Sequence, residues 1–351
     1  MGGKMRNYFK KIWKLLGIIV CLGSTFATVL ICGAIEVNTR NVTNPTLVTG
    51  ETPKSSERHP SVSWDGKKLV YVSNAYSDSK DNYDIVVLDL NNPQSPINLA
   101  PAPEPAFFPH WYPGSQYIIY TTIVRGTKLS EGKYTLYKID VERGYKEKIE
   151  YEYIVTPVTP FYEKLLYPYY GVTSPSGKYL AIVVGSKDKK YPEKAEDWYT
   201  WYEKIYPNDK IFLLDLETKR AKYIVDGQWP AFSPNGKKLA YSRAISDKSC
   251  SICIYDIDKG ISTVITTPRE NIRDIMPTFS LDGKEIAFVR IDTTGNADIW
   301  KIGADGKNEL RLTLAKSREL FPSWGPGGWI YFQSDALDPN NWDIWKMKIL
   351  Y

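Results

Sequence analysis

The chain has 351 residues, with 45 Lys+Arg against 40 Asp+Glu, 43% hydrophobic and 24% charged, which excludes a disordered polymer, collagen and a small disulfide scaffold. Its formal charge of +5 lies in Lys4, Arg6, Lys10, Lys11 and Lys14; the first fourteen residues hold no acid, so everything after them is neutral. No nucleic-acid partner is expected, because such binding needs surplus positive charge on the folded part to displace phosphate counterions.

In chain order, residues 1–14 form a basic arm, and Leu15 to Ile35 follow with 21 residues free of charge. As a helix that run reaches about 31 Å, the hydrocarbon thickness of a bilayer. Positive residues on its N-terminal side alone predict a cytoplasmic arm, a transmembrane signal anchor over 15–35 and an exported remainder. A cleaved leader is the alternative reading, since Cys32 and Ala34 are small residues placed for cleavage before Ile35. Residues 36–44 read as a polar spacer. Outside the apolar run only Cys250 and Cys253 remain. They sit in an alternating, strand-like segment where positions three apart face opposite sides, which predicts buried strand cysteines rather than a disulfide or redox pair.

Residues 45–351 repeat. The recurring unit is a Pro, an aromatic or apolar residue two positions on, a turn with Gly, and an apolar run. Its copies begin at His59, Phe108, Tyr170, Trp229, Met276 and Phe321, with turn positions Gly66, Ser115, Gly177, Gly236, Gly283 and Gly328 spaced 45 to 62 residues apart. Each turn leads to a third strand-like run, such as YDIVVLDL, SICIYDI or ADIWKIG, and the first five units add a fourth. Four short antiparallel strands per unit, repeated around an axis, predict an all-β, six-bladed β-propeller. The sixth unit lacks a fourth strand, whereas PTLVT at 45–49 precedes the first unit; this segment is expected to close blade six and leave no bare strand edge.

The stretch from Pro277 to Thr313, PTFSLDGKEIAFVRIDTTGNADIWKIGADGKNELRLT, resembles the TolB-type propeller repeat. Similar repeats occur in the propeller domains of prolyl-oligopeptidase-like enzymes. The resemblance covers essentially all of 45–351 and is weakest in blade three, where Gly171 replaces the Pro. It implies the fold strongly and the function hardly at all.

No catalytic residues are assigned. The chain has two histidines, no G-x-S-x-G elbow and no α/β segment after the last repeat, so a Ser-His-Asp hydrolase is not expected. His59 and His110 with Glu57 or Glu104, and the loop from Asp335 to Asp343, are read as structural. No metal or cofactor is expected. Asp89, Asp140, Asp215 and Asp256 recur near strand ends as turn-binding signatures.

Two insertions break the repeat, residues 151–170 and 185–210, and strand counting places both on one face. There Tyr162, Tyr167, Tyr169, Tyr170, Tyr191, Trp198, Tyr199, Trp201 and Tyr202 are the candidate partner-binding residues, because rings with a polar handle suit surfaces that are half buried and half wet. The channel mouth on that face is assigned Arg58, His59, His110, Trp229, Arg273, Asp274, Arg318 and Glu319, with the arginines expected to pair with Asp274 and Glu319. The functional expectation is a membrane-anchored, extracytoplasmic, non-catalytic propeller that binds a protein or peptide. Polysaccharide binding or a lyase-like activity at the channel mouth is the alternative.

Overall fold

The computed structural model describes residues 35–49, 55–77, 82–100, 104–124, 127–128, 131, 133–153, 168–185 and 208–351. The predicted membrane segment, apart from Ile35, and most of both insertions lie outside these residues. Among the described residues no helix is long and apolar enough to cross a membrane.

The described chain folds into antiparallel meanders in which consecutive strands pair. Glu57–Val62, Lys68–Ser73, Asp84–Asp89 and Asn92–Ala100 form one sheet; Ala106–Trp111, Tyr117–Ile123, Tyr134–Asp140 and Lys146–Lys148 form the next. The third runs from Pro168–Thr173 to Arg220–Asp226 and gains a fifth strand, Glu152–Tyr153, laid parallel on its outer edge. An eight-stranded sheet follows. It consists of the meanders starting at Gln228–Phe232 and Arg273–Phe279, joined by a single parallel pair, Cys250 with Arg273. The last sheet holds Glu319–Trp324, Trp329–Ser334 and Asp343–Lys348, with Thr46–Leu47 antiparallel on its outer strand. The first strand of each meander touches the first strand of the next, and Glu319–Trp324 touches Glu57–Val62. The arrangement is an all-β propeller.

The hairpin between the first two strands of a meander explains the repeat signature. Ser280 Oγ donates to Asp282 Oδ1 at 2.7 Å, and that carboxylate caps the Lys284 amide, so the turn is wired by its own side chains. Gly283 takes φ 71°, which a Cβ would strain; Gly236 does the same at φ 70° beside Ser233 and Asn235. Asp89, Asp140, Asp215 and Asp256 likewise accept amides two or three residues ahead. Cys250 and Cys253 are buried free thiols on a strand.

The segment read as a spacer is packed onto the propeller. Val37 bridges Thr313 and Val42 bridges Ile349, and Ile35, Val37 and Val42 are all buried. Its scattered apolar residues thus cover the outer edges of the last two meanders, where open strand edges would otherwise leave amides unpaired.

Candidate functional site

Every first strand carries a register shift at the same place: between Arg58 and Ser61, Phe107 and His110, Pro168 and Tyr170, Gln228 and Ala231, Ile275 and Thr278, and Leu320 and Ser323. At these bulges His59, Phe108, Trp229, Met276 and Phe321 adopt φ between 52° and 55°, a region costly for a side chain of this size. In each case a Pro follows, removing the amide that regular pairing would require. The bulge turns the side chain onto the axis. There the rings meet in a closed circuit, tilted from His59 to Phe108 at 4.5 Å and edge to face from Phe108 to Tyr170 at 5.4 Å, Tyr170 to Trp229 at 5.2 Å, Trp229 to Phe321 at 5.5 Å and Phe321 to His59 at 4.6 Å. Each aromatic pair adds about 0.5–1.5 kcal/mol beyond its burial, which offsets the backbone strain.

This plug divides the axis. On the side of the Ser-Asp hairpins lies a cavity of about 150 Å³, floored by Tyr170, Trp229, Met276 and Phe321 and walled by Trp64, Trp111, Phe232, Phe279 and Trp324. Pro60, Pro230, Pro277 and Pro322 also line it, and among the described residues no Asp, Glu, Lys or Arg does. Its wall is laced between meanders. Trp111 Nε1 donates to Ser61 O at 2.9 Å, Thr173 Oγ1 donates to Trp111 O at 3.2 Å, and Ser323 Oγ accepts the Val62 amide at 3.0 Å. His110 borders the cavity against the Tyr170 ring, and burial pulls its imidazole down to about 4, so it is neutral there at physiological pH.

The other side, where the chain enters each meander, is polar. Asp274 holds Arg290 by two hydrogen bonds of 2.6 and 2.8 Å, and Glu309 adds two more of 2.8 and 2.9 Å. Burial opposes the Arg290 charge, yet these bonds outweigh it and hold its proton more tightly than usual. Arg318 grips Asp335 at 2.8 Å and stacks over Trp342; Arg58 stacks over Tyr83 and donates to Ser56 Oγ at 3.1 Å. Glu319 accepts Ser317 and Ser334 hydroxyls at 2.6 and 3.0 Å.

The residues assigned to one channel mouth therefore fall in three places. His59 and Trp229 are in the plug, His110 lies beyond it at the cavity, and Arg58, Arg273, Asp274, Arg318 and Glu319 stand on the polar side. Asp274 pairs with Arg290 rather than Arg273, and Arg318 pairs with Asp335 rather than Glu319. Adjacent strand residues face opposite ways, so the cross-strand partner, Arg290 in register with Asp274, wins over the sequence neighbour. Of the partner-binding set, Tyr162, Tyr167, Tyr191, Trp198, Tyr199, Trp201 and Tyr202 lie outside the described residues. Tyr169 is buried and donates to Asp209 Oδ2 at 2.7 Å, and Tyr170 is in the plug at 7% exposure. The cavity wall was missing from the sequence reading, although its signal was present: the aromatic or apolar residue two positions after each Pro was noted only as part of the repeat. Among the described residues no group of three or more His, Cys, Asp or Glu is placed to hold a metal. His59 Nδ1 instead accepts the Phe108 amide at 3.4 Å.

No protein-family model matches the chain. An uncharacterized protein of Agrobacterium fabrum is 31% identical over 121 residues, 33% of this chain and 40% of its own length. The Tol-Pal system protein TolB of Francisella tularensis subsp. holarctica is 22% identical over 290 residues, 74% of this chain and 63% of its own. TolB from Acinetobacter baumannii superposes with a TM-score of 0.55 at 17% identity, covering 82% of this chain and 64% of that one. The chain is a TolB-like β-propeller. It spans less than two thirds of the length of these two curated relatives. An oligogalacturonate lyase in complex with manganese shares the fold at a TM-score of 0.57 and 13% identity, over 95% of this chain and 96% of that one.

Proposed function

We propose that this chain is a non-catalytic binding module, a six-bladed propeller anchored in the membrane through residues 15–35, displayed outside the cytoplasm, and holding a protein or peptide partner. The reading of six blades draws support from six repeats, six bulged first strands and their contact around the axis. The anchor rests on the uncharged run and the one-sided basic arm. One observation carries the binding role. The axial cavity offers tryptophan, phenylalanine and proline around about 150 Å³ with no Asp, Glu, Lys or Arg among the described wall residues, which suits one apolar or aromatic side chain of a partner. The relatives named as Tol-Pal system proteins agree with a protein partner. The tyrosine- and tryptophan-rich insertions leave from strand ends on the opposite side of the disc and would form a separate contact.

The test is partner recovery from envelope extracts with the full chain, with Ala231→Trp, which fills the cavity, and with residues 186–206 deleted. Loss of partner with Ala231→Trp alone supports the cavity, and loss with the deletion alone moves the site to the insertions. Undiminished recovery with both variants refutes each surface. A second reading is favoured by the tryptophan wall interleaved with Ser61, Thr278 and Ser323 hydroxyls, a combination suited to a sugar ring. Retention on a glycan array by the wild type and not by Ala231→Trp would select it.

A further inference from the structure

The outer edges of the meanders are closed by different means. The first meander ends in Asn92–Ala100, interrupted by Pro93 and Pro96, and the second in Lys146–Lys148, whose side chains are all charged and exposed. Glu152–Tyr153 lies on the third, and a strap formed by residues 35–49 lies on the fifth and the last. Proline, charge and a covering segment each keep a strand edge from pairing further. The fourth meander ends in Ile261–Val264, which among the described residues pairs with Cys250–Asp256 alone. Residues 261–267, ISTVITT, hold no charge and no proline, and six of the seven are β-branched, so the edge is unguarded and favours an extended neighbour. Ile261 is 58% exposed there and Val264 38%.

The fifth meander shows what such an edge accepts. The Leu312 amide donates to Ile299 O at 2.8 Å and Thr313 Oγ1 accepts the Ile299 amide at 2.9 Å, an arrangement that leaves the Leu312 carbonyl and the Leu314 amide facing outward. The strap takes both. The Asn38 amide donates to Leu312 O at 2.9 Å, the Leu314 amide donates to Glu36 O at 2.7 Å, and Val37 sits buried opposite Thr313. The fourth meander repeats this wiring: the Ile265 amide donates to Ile252 O at 2.8 Å, and Thr266 Oγ1 accepts the Ile252 amide at 2.9 Å. Its Ile265 carbonyl and Thr267 amide therefore face outward as those of Leu312 and Leu314 do. Alternation along the strand adds the backbone groups of Val264 and Ser262.

We propose that the outer edge of the fourth meander, residues 261–267, docks an extended peptide segment of a partner protein, which joins the sheet as a further antiparallel strand and carries branched apolar residues at alternate positions. The precedent is the strap itself, which presents Ile35 and Val37 in that spacing to the equivalent edge one meander away. Backbone hydrogen bonds supply the attraction, and the branched side chains supply selectivity by covering Val264 and Ile261. The site lies on the rim of the propeller and depends neither on the axial cavity nor on the membrane anchor.

The experiment is amide hydrogen exchange on the full chain with a synthetic peptide, IEVNTRNVT, that copies residues 35–43. Bound peptide should slow exchange at Val264 and Thr267 about tenfold and leave Ile254, already in register with Thr263, unchanged. The same peptide with Asn38→Pro lacks the donating amide and should protect neither position. Thr263→Lys and Val264→Lys, made separately at exposed positions, should each raise the Kd of labelled peptide about tenfold by fluorescence anisotropy, with a melting temperature within about 3 °C of the wild type. No protection by the first peptide, or equal protection by the proline peptide, overturns the docking site. Protection of Val264 and Thr267 that rises with protein concentration in the absence of peptide overturns it as well, and assigns the edge to a second copy of the chain.

Discussion

The two ends of the axis, separated by one layer of aromatic rings, are built from the same strands and differ completely in chemistry. Beyond each bulge the first strand contributes Pro and then aromatic or hydroxyl residues, giving an uncharged cavity laced by Trp111 and Thr173. Before the bulge the same strands contribute Glu57, Asp274 and Glu319, buried against serines or an arginine. The difference teaches that a repeat can segregate chemistry along its strands: an uncharged wall at one end, and buried charged groups at the far end.

The contrast can be broken most severely at the polar end. Arg290→Met leaves Asp274 buried without its cation, and chemical denaturation should show a loss of about 3–5 kcal/mol. On the cavity side Trp111→Phe keeps the ring but orphans the Ser61 carbonyl, for an expected loss of about 1–3 kcal/mol in the same measurement. Ala231→Trp should spare stability, with a melting temperature within about 3 °C of the wild type, while weakening partner binding at least tenfold, about 1.4 kcal/mol, by titration calorimetry. The smallest effect sharpens the comparison. The His110 imidazole, pulled down to about 4 by burial, is neutral at every pH above roughly 5, so affinity at the cavity should be flat from pH 5.5 to 6.8. A fall in affinity toward pH 5.5 would show that His110 gains a proton within that range.

Local patterns were legible wherever the signal is short-range. The turns at Gly236 and Gly283, the strand identity of SICIYDI and the capping aspartates follow from residue type and immediate neighbours. Asp274 and Arg318 found partners other than the expected ones because pairing in a sheet is decided across strands, and register is invisible along the chain. Residues 36–44 looked like a polar tether because two apolar residues, Val37 and Val42, among many polar ones have no period; they are meaningful only against the strand edges they cover.

What the sequence by itself determined is the repeating strand-turn unit, the TolB-like character and the absence of net charge outside the first fourteen residues, all properties of residue order and composition. Which side chains converge was decided by the tertiary structure alone. The bulge in each first strand, set before a Pro in five of them and before Gly171 in the third, brings one residue toward the axis, and only the meeting of those strands turns His59, Phe108, Tyr170, Trp229, Met276 and Phe321 into a plug with an apolar end and an acidic one.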